Sequence, residues 1–79
     1  MQESEVKLLF AAGNFKAVTV VNAPMQSGYH LQFTGKSGEL ILIEKQRGDL
    51  RVFKTIQGAI STAYDIGFRD IRVILSEAP

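Results

Sequence analysis

His30 is the chain's one histidine, and there is no cysteine. A catalytic histidine needs a nucleophile to activate or a carboxylate to orient it. In the alternating stretch "YHLQFT" its same-face neighbour is Gln32, so no orienting carboxylate is assured and His30 reads as a surface strand residue. One histidine without cysteine also leaves no zinc ligand set. The acids are Glu3, Glu5, Glu39, Glu44, Asp49, Asp65, Asp70 and Glu77. None are spaced for paired acid–base work or metal binding. Asp65 and Asp70 flank a helix stop and are expected to pair with Arg69 or Arg72 on a solvated surface. The glycines around Lys36 in "SGYHLQFTGKSG" follow neither GxxxxGK[ST] nor GxGxxG. "RGD" at 47–49 is a three-letter match of the kind chance supplies. The expectation is a protein that is not an enzyme, with no cofactor, no metal and no evident small-molecule substrate.

The basic residues offer more. Lys45, Arg47, Arg51 and Lys54 lie close together in sequence, just ahead of a helix start, and Arg69 and Arg72 follow that helix. Helix N-termini present unpaired N–H groups and a positive dipole end, which suit phosphate. These six residues are therefore the expected contact with nucleic acid or a partner. Tyr29 and Phe33 are the aromatics that would stack bases if their face were open, although core packing is their simpler role. The overall charge is only +1, from nine Lys+Arg against eight Asp+Glu. That is no polyanion-binding signature by itself. The sign changes along the chain, however. Lys7, Lys16 and Lys36 face four glutamates before residue 45, a balance of −1, and the later residues carry +2.

The elements that must position these groups are legible in outline. Residues 3–12 read as a short helix with Val6, Leu9 and Phe10 on one face and Ser4 as its N-cap. "FKAVTVVNA" (15–23) is β-branched and ends at Pro24. "YHLQFT" (29–34) alternates, "GKSG" (35–38) makes a hairpin turn, and "ELILIE" (39–44) is apolar on both faces. "LRVF" (50–53) reads as a fourth short strand. Thr55 then caps a helix to about Ile66 whose buried stripe is Ile56, Ala59, Ile60 and Ala63. Gly67 supplies the helix stop, with Phe68 as the accompanying hydrophobic contact. "RDIRVIL" (69–75) is a final strand, and 76–79 a flexible tail.

The order α-β-β-β-β-α-β predicts a two-layer α+β domain, an antiparallel sheet of four or five strands with both helices on one face. The uncovered face would then carry Val18, Val20, Ile41 and Ile43. Such an apolar patch marks an interface, so these residues are the expected self-association face of a homodimer. The 79 residues allow one domain, 1–79. A domain this small buries only about 60% of its unfolded surface, and without cysteine it has no covalent staple. Self-association is a common remedy. "MQESEVKLLFAAG" lacks the positive start and long apolar run of a signal peptide. No window reaches the roughly 20 apolar residues of a membrane span. A cytoplasmic location is expected, with no membrane contact.

The α-β-β-β-α portion also invites comparison with double-stranded-RNA-binding domains, but "TIQGAIS" lacks the lysine-rich start of their second helix. A broader resemblance runs from Glu3 to about Val73. "EVKLLFAAGNFKAVTVVNAPMQSGYHLQF", "KQRGDLRVFKT" and "IGFRDIRV" resemble the small proteobacterial ParC-family partition-associated proteins of plasmids and related mobile elements, which are unrelated to the topoisomerase subunit of that name. The resemblance implies an accessory role in plasmid partition or maintenance, beside DNA or a DNA-bound partition protein. It brings no catalytic residues with it. The alternative is a protein-interaction or structural module with no nucleic-acid affinity.

Overall fold

The computed structural model describes residues 1–24, 26–45 and 48–75. Its elements are α1 (Glu3–Ala11), β1 (Phe15–Asn22), β2 (Tyr29–Gly35), β3 (Leu40–Leu42), α2 (Ile56–Ile66) and β4 (Arg72–Ile74). The chain is thus α+β, but the sheet is mixed rather than antiparallel. Its four strands lie in the order β3-β2-β1-β4, with β4 parallel to β1. Among the described residues no helix is long and apolar enough to cross a membrane.

The path of α2 explains the parallel strand. Phe53 exchanges two backbone hydrogen bonds with Tyr29, at the start of β2. From there α2 runs down over β1 and β2, and Gly67 ends it beside Phe10, at the finish of α1. The returning strand must rise in the direction of β1. The free side of β1 is where it finds backbone partners.

"LRVF" does not form the expected fourth strand. Leu50 bridges Glu44, the Arg51 N–H donates to Ile43 O, and Phe53 bridges Tyr29. Three residues divided between two neighbours make bridges, not a ladder.

Both ends of α2 follow the local chemistry of its sequence. Thr55 Oγ1 accepts from Gly58 N at 3.0 Å, satisfying one orphan donor of the first turn. At the other end Gly67 takes φ 136°, and its N–H reaches Ala63 O and Tyr64 O. In α1 the N-cap is Gln2 rather than Ser4, and the Glu5 carboxylate accepts from Gln2 N at 3.2 Å. Gln2 also bridges Glu44, and the N-cap lies two residues earlier than expected.

The core is built on one sheet face. Register pairs Val18 with Phe33, Val20 with Leu31, and Phe33 with Ile41. Directly paired residues share a face. Val18, Val20, Leu31, Phe33 and Ile43 are accordingly all buried together, with Ile41 packed against them. Ala59 and Ala63 of α2 cover them closely because they carry so little side chain. The expected self-association face of Val18, Val20, Ile41 and Ile43 is therefore the covered one. Alternation had separated even from odd positions within each strand, but which set meets the helices depends on cross-strand register.

The helix arrangement also differs from the expected pair laid side by side on the sheet. α2 packs on β1 and β2, whereas α1 makes its main contact with α2. Val6 of α1 still reaches the core, and Phe10 stacks tilted on Phe68 with centroids 4.6 Å apart.

Candidate binding surface

His30 lies on the sheet face away from α2, yet it is buried, not a surface residue. Its Nδ1 sits 3.1 Å from Arg51 O, and its strand partner is Val21. The imidazole is held by a backbone carbonyl of the bridging segment. Among the described residues no carboxylate orients it, and it takes a structural place between β2 and residues 50–53. Among the described residues no three His, Cys, Asp or Glu side chains gather as a metal site.

The expected basic cluster divides. Lys45 and Arg51 line one depression of about 490 Å³, together with Gln2, Glu3, Ser4, Lys7 and Glu44. Two of the three cations there meet an acid. Arg51 Nη1 donates to Glu3 Oε1 at 3.1 Å, and Lys7 Nζ lies 3.4 Å from Glu3 Oε2. The Arg51 guanidinium also rests 4.6 Å from the Phe53 ring centroid. It fastens α1 to the segment leading into α2, so its charge is largely spent within the fold. Lys54 is exposed just before the Thr55 cap and lines neither depression. Arg47 lies outside the described residues, as does the 76–79 tail.

Arg69 and Arg72 occupy the opposite end of α2. They line a second depression of about 480 Å³ with Lys16, Asp70 and the aromatics Phe10, Phe15 and Phe68. Arg69 is partly committed. Its guanidinium stacks 3.9 Å above the Tyr64 ring and donates to Tyr64 O and Phe68 O, both at 3.1 Å. That is a favourable place for a cation, since helix C-terminal carbonyls carry partial negative charge. Neither Asp65 nor Asp70 makes the ion pair expected with Arg69 or Arg72. Lys16 and Arg72 are exposed and have no ion-pair partner among the described residues.

Sequence reasoning passed over Lys16 and a second residue, Lys36. Gly35 pairs with Phe15, and the Lys36 N–H donates to Asn14 O at 3.1 Å. The "GKSG" turn is thereby seated beside the start of β1, bringing Lys36 to the same end of the sheet as Lys16. The β1–β4 register pairs Thr19 with Arg72, and Lys16, Arg69 and Arg72 line the same depression. Four cations from three separate segments thus gather at this end, over a floor of buried Phe68 and half-buried Phe10 and Phe15. The signal available beforehand was a lysine at the start of one strand and another in a turn, which acquires meaning only once β1 and β2 are paired.

Comparison with protein-family models, with curated proteins and with solved structures gives no match to this chain.

Proposed function

We propose that the chain is a non-catalytic accessory protein of plasmid partition or maintenance. In this reading it contacts DNA, or a DNA-bound partition protein, through the end of the sheet that carries Lys16, Lys36, Arg69 and Arg72. The observation that carries the reading is the gathering of Lys16, Arg69 and Arg72 around one depression, with Lys36 on the adjoining turn. The plasmid setting comes from the resemblance of "LLFAAGN", "RVFKT" and "GFRDIRV". Lys45 and Arg51 are secondary in this account because Glu3 and Glu44 share their depression.

Phosphate contacts of this kind position a protein without reading sequence, and they act by releasing condensed counterions. Each neutralised phosphate adds about −0.9 to the slope of log K against log salt on duplex DNA. Fluorescence anisotropy with a labelled duplex across a salt series should give a slope of about −2 to −4. Absence of binding at low salt would reject direct DNA contact.

The second reading, a protein-interaction module without nucleic-acid affinity, is favoured by a separate feature. Val73, Ile74 and Leu75 are large, apolar and exposed in succession on and after an edge strand.

A further inference from the structure

β4 uses one edge only. Among the described residues its backbone pairs with β1, and its outer edge has no partner. Val73, Ile74 and Leu75 along it are 39%, 53% and 49% exposed. An apolar strand with an open row of N–H and C=O groups is a template for another strand, and proteins usually blunt such edges. From residue 70 to 75 the charges are Asp70 and Arg72. Asp70 stands two residues before Arg72, just ahead of the strand, and both are exposed with no ion-pair partner among the described residues.

That spacing makes the strand complementary to itself. A two-fold axis normal to the sheet keeps every side chain on its own face, so opposed residues must share parity. Three antiparallel registers of β4 against a second β4 then arise nearby. Centring on Arg72 sets the guanidinium against its own copy, which repels. Centring on Val73 places Arg72 opposite Ile74 and leaves both charges unanswered. Centring on Ile71 places Asp70 of each copy opposite Arg72 of the other, giving two ion pairs.

We propose that two copies of this chain join edge to edge through the start of β4 and the two residues ahead of it, antiparallel about a two-fold at Ile71, with reciprocal Asp70–Arg72 pairs. The joined sheet has eight strands, with a β3 at each outer edge, and the two-fold contact leaves no β4 edge open to a third copy. A β4-to-β3 contact would be heterologous and open-ended, and the continuation of β3 already receives the Arg51 N–H at Ile43 O. The surface is distinct from the Val18, Val20, Ile41 and Ile43 face, which lies inside the fold.

Size-exclusion chromatography with light scattering tests the pairing. The chain should elute at twice its 8.7 kDa. Asp70→Arg and Arg72→Asp should each weaken the dimer at least tenfold, and the double swap Asp70→Arg/Arg72→Asp should restore it, with circular dichroism unchanged throughout. Because the chain has no cysteine, Ile71→Cys should give one oxidised cross-linked dimer. A monomer at every concentration up to several hundred micromolar would overturn the proposal. So would folded single variants that remain dimeric, or a double swap that stays monomeric. Cross-linking through Val73→Cys in place of Ile71→Cys would overturn the register. Lys16→Ala with Lys36→Ala should leave the mass unchanged, which separates this test from that of DNA contact.

Discussion

Gly67 and Phe10 share one space. A Cβ added at Gly67 would overlap the edge of the Phe10 ring, and Gly67 also holds φ at 136°. The end of α2 and the end of α1 are therefore fitted to each other by the absence of a side chain. Left-handed backbone costs a non-glycine residue about 1–2 kcal/mol, and the displaced ring adds to that. Gly67→Ala should lower the unfolding free energy by at least this much, seen as a lower urea midpoint with little change in slope. A loss below about 0.5 kcal/mol, the ordinary range for a surface change, would mean that the two helix ends do not meet as described.

At the other end of α2, Thr55 Oγ1 accepts from Gly58 N at 3.0 Å. Thr55→Ala removes that acceptor and should destabilise the chain by about 1 kcal/mol. Lys54→Ala, one residue earlier and exposed, should stay within about 0.5 kcal/mol. Equilibrium urea unfolding of both variants measures the contrast.

The two faces of β3 can be told apart by neighbouring substitutions. Ile43, immediately after β3, is fully buried in the core, whereas Leu40 is largely exposed at the same edge. Ile43→Ala should cost about 2–5 kcal/mol, the range for emptying a buried aliphatic site. Leu40→Ser should cost no more than about 0.5 kcal/mol. Equal losses in thermal unfolding would contradict the assignment of Val18, Val20, Ile41 and Ile43 to the covered side.

Arg51 and Glu3 form a pair that both sides of the fold can spare. Their side chains are more than a third and about a third exposed, respectively. A partly exposed pair contributes no more than about 1 kcal/mol, so Arg51→Ala should lower stability by that or less. The loss should shrink in high salt, because screening weakens the same interaction. A salt-independent loss of several kcal/mol would assign Arg51 a packing role through Phe53 instead.

What could be read in advance follows the range of the interactions involved. Thr55, Gly67 and the stripe of Ala59 and Ala63 are local signals, set within one or two helical turns, and the structure places them as expected. The strands 15–23, 29–34 and 39–44 were recognisable from β-branching and alternation. Their cross-strand phase was not, because whether Val18 meets Phe33 or solvent depends on a register set by residues far along the chain. "LRVF" looked like a strand by composition, but its backbone partners, Glu44, Ile43 and Tyr29, come from different segments. The candidate surface was only half visible for the same reason. Arg69 and Arg72 stand out beside the helix stop, whereas Lys16 and Lys36 join them only through the pairing of β1 with β2 and β4.

The central claim concerns which end of the sheet meets DNA, and paired charge removals measured by anisotropy on one labelled duplex decide it. Lys16→Ala with Lys36→Ala should weaken binding and flatten the log–log salt slope by about 2, the loss of two phosphate contacts. Lys45→Ala with Arg51→Ala should leave the slope nearly unchanged. The reverse order would place the contact at the Lys45–Arg51 end, and a wild-type chain with no affinity at low salt would contradict the account altogether.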